Sequence, residues 1–207
     1  MNAPVSPPAA APHTPASRRA IALAAGVVVV VGTAFDLWTK HWAFSAIAPG
    51  ERVEIIPGFL AFVLSWNTGA AFGILPGWLG FFMVVAALAV GFLVWVVWTA
   101  PPGTTWRFGV VVGLIGTGIA GNLYDRIVYG RVRDFIDCYV SYGPLAGRLE
   151  QWFGTAHWPT FNVADACIVI GASLLVIKLW RDERALRVAA GAPAALAAAG
   201  VEGGDAG

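Results

Sequence analysis

The chain has 207 residues, of which 58% are hydrophobic and only 12% are charged, against about 25% charged in an ordinary soluble domain. Its formal net charge of +1 excludes a strongly basic nucleic-acid-binding protein, and its two cysteines are too few for a disulfide framework or a four-cysteine metal site. No charge falls between residues 55 and 106, and an uncharged stretch of this length indicates a membrane protein.

The N-terminal part contains a tail and a first predicted transmembrane helix. Residues 1–17 are rich in proline and alanine without an apolar period, which predicts a disordered tail. After Arg18 and Arg19, residues 20–38 form an apolar run. A secretory signal is the alternative, but the run is long, no clean small-x-small cleavage site follows it, and further apolar segments come later. We therefore expect a retained first helix that crosses the membrane.

A short hairpin is predicted after this helix. Residues 52–65 are rich in β-branched and aromatic residues on either side of a Pro57-Gly58 turn. These strands are apolar enough to lie on the membrane surface. We expect a small extracytoplasmic β-sheet or hairpin between the first two membrane helices.

Three further spans are predicted at residues 79–98, 108–124 and 163–180. In the third span, small residues recur every four positions and form a groove that another helix can approach closely. These residues are Gly109, Gly113, Thr117 and Gly121. Residues 186–207 are rich in alanine and glycine and are predicted to be disordered. The fold class is an all-α membrane protein, in which residues 18–185 form a domain of four transmembrane helices.

The polar residues of the spans converge on one side of the membrane. In a chain that crosses four times, the ends of spans one and three and the starts of spans two and four share a face. The residues at those places are Asp36, Lys40, Asn67, Asn122, Arg126, Asn162 and Asp165, with Asp134 in the loop between spans three and four. Charges that flank the first and last spans favour cytoplasmic termini, which places this polar group near the extracytoplasmic face.

The aspartates are the residues of this group that are best suited to catalysis. Two carboxylates held close together share one proton, so that one acts as a general base on water while the other donates a proton. Each acid also has a structural interpretation: Asp165 caps a helix, Asp36 pairs with Lys40 four residues on, and Asp125 and Asp137 are solvated loop charges. No histidine lies in a span and no H-E-x-x-H or G-x-S-x-G motif is present, so we expect no metal, no cofactor and no serine nucleophile.

Distinct sequence blocks carry these polar residues. They are DLWTK at 36–40, NTGAAFGI at 67–74, GNLYDRI at 121–127 with GRVRDFID at 130–137, and FNVADA at 161–166. Together, in this order and over about residues 20–180, they resemble the blocks of the lipoprotein signal peptidases, the prokaryotic type II signal peptidases.

The resemblance implies an inner-membrane aspartyl endopeptidase that removes the signal peptide of a prolipoprotein by cutting before a diacylglyceryl-modified cysteine. Carried over by motif, Asp134 and Asp165 are the catalytic pair, Asp36 and Lys40 are a structural pair, and residues 52–66 form a small sheet that cradles the substrate. The residues implied to bind substrate or order the site are Asn67, Gly69, Asn122, Arg126 and Asn162. We further expect a monomer that contacts membrane lipid and binds no nucleic acid.

Two features depart from the family pattern. Arg133 stands where the family usually has an apolar residue, and it either lowers the pKa of Asp134 or points away from it. The loop at 138–159 is longer than usual.

Three other functions are considered. A small ion or solute transporter that uses intramembrane carboxylates is the main alternative, but it requires charges near mid-span or broken helices. A presenilin-like protease requires a G-x-G-D motif, which the sequence lacks. A noncatalytic membrane subunit would scatter its polar residues over both faces.

Overall fold

The computed structural model describes residues 15–69 and 78–201. Residues 70–74 of the NTGAAFGI block lie outside the described residues, as do residues 1–14 and 202–207 of the two predicted tails. The chain divides into two compact units, of which the first ends at Gly171 and the second begins at Ala172. All the predicted site residues belong to the first unit.

The described part of the chain holds four helices that are long and apolar enough to cross a bilayer, which confirms the predicted fold class. They are α1 (Pro15–Ala46), α2 (Leu79–Trp98), α3 (Trp106–Tyr129) and α5 (Val163–Val201). The bounds of α2 are those predicted, but α1 and α3 continue past residues 38 and 124. The predicted ends lie close to charged residues, which are costly to place in lipid. In the structure these residues, Asp36 with Lys40 and Asp125 with Arg133, form ion pairs inside the protein, so the helices can continue.

The last helix extends beyond its predicted end. Its alanine-rich sequence after Arg187 stays helical to Val201, although composition predicts a disordered tail there. Alanine has the highest helix propensity of all residues, which explains the difference. Within the second unit, Lys178 pairs with Asp182, and Arg187 Nη2 lies 2.6 Å from Glu183 Oε1. Both are pairs of residues four apart, the spacing that supports a helix.

The third helix packs closely against the first. A methyl group built at Gly109 would collide with the backbone carbonyl of Ile21, and one at Gly113 would lie 2.7 Å from Cβ of Val28. Thr117 donates a hydrogen bond from its hydroxyl to the carbonyl of Val28 at 3.0 Å. The predicted small-residue groove is therefore filled by α1, and larger side chains would force the two helices apart.

The segments that connect the membrane helices form a three-stranded antiparallel sheet. Its strand order is β1-β2-β3. The hairpin predicted at residues 52–65 is present as β1 (Arg52–Ile56) and β2 (Leu60–Asn67). Gly58 has a φ of 79°, a left-handed conformation that glycine adopts without strain, and this allows the tight turn between them.

The third strand, β3 (Val132–Cys138), is not predicted by the sequence analysis. Side chains on both of its faces are buried, so its sequence lacks the alternation of polar and apolar residues that marks a half-exposed strand. Its register places Asp134 opposite Ser65 and Val132 opposite Asn67. The sheet therefore brings the end of β2 beside the GRVRDFID block.

The long connection at 138–159 is not a plain loop, because it contains the helix α4 (Pro144–Phe153). After α4 the chain returns along β3. The N–H of Trp158 donates to the carbonyl of Cys138 at 2.8 Å, and the N–H of Ile136 donates to the carbonyl of Phe161 at 2.9 Å. This returning segment leads directly into α5, which fixes the start of that helix against the sheet.

Candidate active site

Asp134 lies on β3 with only 1% of its surface exposed. Its Oδ1 accepts a hydrogen bond from Asn162 Nδ2 at 2.7 Å, and its Oδ2 accepts one from Asn67 Nδ2 at 3.1 Å. The register of the sheet supplies Asn67, since the last residue of β2 lies beside the start of β3. Both carboxyl oxygens of Asp134 are therefore held by amides from other segments.

Asp165 lies in the first turn of α5, and Asn162 immediately precedes that helix. Oδ1 of Asn162 accepts a hydrogen bond from the N–H of Asp165 at 3.0 Å, and Oδ2 of Asp165 accepts one from the N–H of Asn162 at 3.2 Å. This reciprocal pair is a capping box, so the helix-capping interpretation of Asp165 is correct. Its Oδ1 also accepts a hydrogen bond from Asn122 Nδ2 at 2.6 Å, a contact that capping does not require.

Two asparagines connect the two acids. Nδ2 of Asn162 donates to Asp134 and also to Oδ1 of Asn122, at 3.1 Å. Asn122 in turn donates to Asp165. A continuous hydrogen-bonded path thus runs between the carboxyl groups across β3, α3 and α5. The structure brings these residues and Asn67 together, as the sequence predicts.

The pKa of Asp134 is raised from its ordinary value of 3.8 to about 7. Burial is the largest cause, because removal of a carboxyl group from water disfavours its charged form. The negative charge of Asp165 raises the pKa further, while the hydrogen bonds from Asn67 and Asn162 oppose the rise. Asp134 therefore keeps its proton to a higher pH than an exposed aspartate does.

Arg126, on α3, contacts the residues that follow β2. Its Nη2 donates a hydrogen bond to the carbonyl of Gly69 at 3.0 Å, and its guanidinium lies 4.8 Å from the ring centroid of Phe82 on α2. The N–H of Gly69 donates to Oδ1 of Asn67 at 2.9 Å. Arg126 and Gly69 therefore orient the same asparagine whose amide reaches Asp134.

A buried charge cluster, formed by Asp36, Lys40, Asp125 and Arg133, lies next to these residues. Lys40 Nζ is 2.8 Å from Asp36 Oδ2 and 3.3 Å from Asp125 Oδ2, and it donates to Asn122 Oδ1 at 3.2 Å. Arg133 Nη2 lies 2.7 Å from Asp125 Oδ1. Two acids and two bases make the cluster neutral, and the Asp36–Lys40 pair is present as predicted. Lys40 connects the cluster to the site through Asn122.

The contacts of this cluster establish the burial of Asp125 and the direction in which Arg133 points. The structural interpretation of Asp125 as a solvated loop charge is wrong, because this residue has no exposed surface and accepts hydrogen bonds from Arg133. Arg133 points away from Asp134, because successive side chains of a strand face opposite sides of the sheet. Asp36 has a further contact, since its Oδ1 accepts a hydrogen bond from the N–H of Ala164 at 2.8 Å at the start of α5.

The structural interpretation of Asp137 as a solvated loop charge is wrong too. It is 3% exposed, and its Oδ2 lies 2.6 Å from Arg52 Nη1 and 3.1 Å from His157 Nδ1. The ring of Tyr139 stacks on that of His157 with centroids 5.2 Å apart. Sequence reasoning missed these partners. No local signal in the sequence points to them, because Arg52 and His157 lie 85 and 20 residues away from Asp137 along the chain.

Asp134 and Asp165 line one cavity of about 870 Å³. Much of its remaining wall is apolar and includes Trp66, Trp158, Phe161, Ile168, Val169 and Ile170. Val169 and Ile170 are 65% and 52% exposed on a helix of membrane-spanning length, so the cavity borders lipid-facing surface. Within residues 15–69 and 78–201, no group of three or more His, Cys, Asp or Glu side chains is placed to hold a metal ion.

The fold and this site define a multi-pass membrane protein in which two carboxyl groups adjoin an apolar cavity. The chain belongs to the signal peptidase II family: the family model described as Signal peptidase (SPase) II matches residues 28–181. The resemblance found in the sequence is thereby confirmed. The family is one of proteases, and the transporter alternative finds no support.

Individual relatives agree with this assignment. The chain is 40% identical over 154 residues to the lipoprotein signal peptidase of Hydrogenovibrio crunogenus, covering 72% of this chain and 81% of the relative. It is 37% identical over 158 residues to that of Symbiobacterium thermophilum, covering 76% and 95%. A bacterial membrane enzyme solved by the in meso method at 2.3 Å resolution is 30% identical with a TM-score of 0.64, covering 76% of this chain and 88% of that structure.

Proposed function

We propose that this protein is an aspartyl endopeptidase that removes the signal peptide from diacylglyceryl-modified prolipoproteins by cutting before the lipidated cysteine. The observation that carries the proposal is the hydrogen-bonded path from Asp134 through Asn162 and Asn122 to Asp165. It holds two carboxyl groups at one cavity while the pKa of Asp134 is raised to about 7. The name shared by the relatives supplies the substrate class.

The two acids have different roles in this mechanism. Asp165 is the general base: both of its oxygens accept N–H donors, and it lies at a helix N-terminus, where the dipole favours negative charge. Asp134 is the general acid, because its raised pKa keeps it protonated for a large part of the time near neutrality. Asn67, Asn122 and Asn162 hold the two groups in these positions.

Each proton in the reaction has a defined path. Asp165 takes a proton from a water molecule as the water oxygen attacks the scissile carbonyl carbon, and Asp134 gives its proton to the carbonyl oxygen. When the tetrahedral intermediate collapses, the C–N bond breaks and the leaving amine takes the proton from Asp165. Asp134 recovers a proton from the intermediate, so both acids return to their starting states.

The rest of the site is suited to a lipidated peptide. The apolar wall of the cavity accommodates apolar side chains and acyl chains, and Val169 and Ile170 border the lipid from which such a substrate would arrive. Arg126 and Gly69 order the end of the β1-β2 hairpin that would cradle the peptide. The Asp36–Lys40 pair supports α1 and the start of α5.

Topology completes the proposal. We place both termini in the cytoplasm and the site near the extracytoplasmic face of the inner membrane, where a secreted precursor presents its cleavage site. We further propose that the enzyme works as a monomer.

Cleavage by the purified protein in detergent tests the function. A diacylglyceryl-modified prolipoprotein should release its signal peptide, and it should do so after exhaustive chelation of metals. The matched control is the same precursor without the diacylglyceryl group, which should be cleaved far more slowly. A folded preparation that leaves the modified precursor intact would overturn the proposal.

A further inference from the structure

The short helix α4 has an apolar face that the described parts of the chain do not cover. Leu145 and Trp152 are 55% and 67% exposed, and Leu149 between them is partly exposed. Their spacing of four and three residues places all three on one face of the helix. Arg148 flanks this face, and Glu150 lies on the opposite one. None of the described α4 side chains is buried.

A helix of this kind needs a surface to stabilise it. It has 10 residues and no side-chain hydrogen bond at its N-cap, Gly143. Isolated helices shorter than about 12–15 residues are marginal in water, and most helices in proteins are stabilised by packing of their apolar face. Because that face is exposed on α4, the described part of the chain does not supply such a surface.

The segment before α4 joins it to other exposed apolar side chains. The N–H of Ser141 donates to the carbonyl of Gly58 at 3.2 Å, and the hydroxyl of Tyr142 donates to the carbonyl of Pro57 at 3.3 Å. These contacts attach the start of α4 to the tip of the β1-β2 hairpin. The exposed apolar side chains at that tip are Ile55, Ile56 and Phe59, at 47%, 49% and 54%.

The segment after α4 leads to the membrane itself. Trp158, five positions beyond the end of α4, lines the same cavity as Val169 and Ile170. Those two side chains are exposed on a membrane-spanning helix and therefore face lipid. The segment that follows α4 therefore runs beside the lipid-facing surface of α5.

We propose that α4 is an interfacial helix that inserts Leu145, Leu149 and Trp152 among the lipid headgroups of the leaflet that borders the cavity. Leucine and tryptophan on one face with an arginine at its flank suit this position, because tryptophan prefers the interface and arginine extends its charge toward headgroup phosphates. The helix would hold the returning segment that contains Trp158 at the level of the bilayer surface.

Site-specific quenching in vesicles tests the proposal. Cys138→Ser and Cys167→Ala give a background without thiols, and Leu145→Cys or Glu150→Cys then carries a nitrobenzoxadiazole label on either face of α4. The full-length protein is reconstituted in vesicles of phosphatidylcholine and phosphatidylglycerol that contain nitroxide-labelled lipid, and aqueous iodide is the second quencher. Cleavage activity of each labelled protein serves as the check of folding.

We expect lipid-borne nitroxide to quench the label at 145 about three-fold more than the matched control label at 150, with the order reversed for iodide. Adding Trp152→Glu should reduce the lipid quenching at 145 to the level seen at 150. Equal quenching at the two positions would overturn the proposal. So would a label at 145 that is shielded from both quenchers, because a second copy of the chain or another protein would then cover the face.

Discussion

Asn162 donates a hydrogen bond from its side-chain amide to Oδ1 of Asp134 at 2.7 Å, although the two residues come from different segments of the chain. The other half of the same amide accepts a hydrogen bond from the N–H of Asp165. An asparagine side chain can do both because it carries a donor and an acceptor on one planar group. This one side chain therefore joins the start of α5 to the strand β3, in addition to the backbone hydrogen bonds between Phe161 and Ile136.

The first prediction concerns the two acids. Asp134→Asn and Asp165→Asn should each reduce kcat by about 10³-fold or more, since each change removes either the proton donor or the base. Asparagine is nearly the same size as aspartate, so both variants should insert in the membrane and still bind a lipidated precursor. Single-turnover cleavage together with precursor binding separates these effects.

Asp137→Asn is the matched control for this prediction. Asp137 lies on the same strand but pairs with Arg52 and His157. Its loss should lower thermal stability while most of the turnover per folded molecule is kept. If Asp137→Asn were inactive and Asp134→Asn retained near-normal turnover, the assignment of the acid on β3 would be wrong.

The second prediction concerns pH. The pair should give kcat/KM an alkaline limb with an apparent pKa of about 7, because the reaction needs the proton on Asp134. The folded protein holds this proton more tightly than the unfolded chain, in which the pKa is near 3.8. The stability that protonation provides should therefore fall as pH rises from about 4 to about 7. Thermal unfolding in detergent should show this decline in the wild type, and Asp134→Asn should remove it.

The third prediction concerns the buried charge cluster. Asp36→Asn leaves the cluster with one uncompensated positive charge, and breaking a buried pair in this way costs about 3 kcal/mol. The yield of folded protein should fall more than the turnover of each folded molecule. Asp36→Asn combined with Lys40→Met restores neutrality and should recover part of the yield. A single variant with normal yield and abolished turnover would instead give Asp36 a catalytic role.

The fourth prediction concerns the contact between α1 and α3. Gly109→Ala should destabilise the protein by about 2 kcal/mol, because its new methyl group meets the backbone of Ile21, which cannot rotate away. Gly91→Ala on α2 is the control, since nothing lies within 4 Å of the added methyl group. Equal melting temperatures for the two variants in detergent would contradict the close approach.

The fifth prediction concerns topology. A thiol introduced by Glu150→Cys, in the background without other cysteines, should react with a membrane-impermeant reagent on intact spheroplasts. The side chain of Glu150 is exposed on α4, in the connection that we place outside the cytoplasm. Labelling that requires lysis of the spheroplasts would reverse the proposed orientation.

The helices and the convergence of polar residues could be predicted because both depend on order along the chain. Long apolar runs mark the spans, and four crossings place Asn122 and Asn162 on the same side of the membrane. The strand β3 could not be predicted, since burial on both faces removes the alternation that identifies a strand. The burial of Asp125 could not be predicted either. Its partners Lys40 and Arg133 lie on α1 and β3, and only the tertiary fold brings them to α3.

The buried charge cluster makes the stability of one helix depend on two other elements of the fold. Asp36 and Lys40 neutralise each other within α1, so this helix can enter the bilayer with its charge already balanced. Asp125 on α3 has no such partner on its own helix, and its two bases come from α1 and from the strand β3. The burial of Asp125 therefore depends on the docking of a strand that lies outside the spans. We expect this end of α3 to be stable in its buried position only when the sheet is packed against the helices.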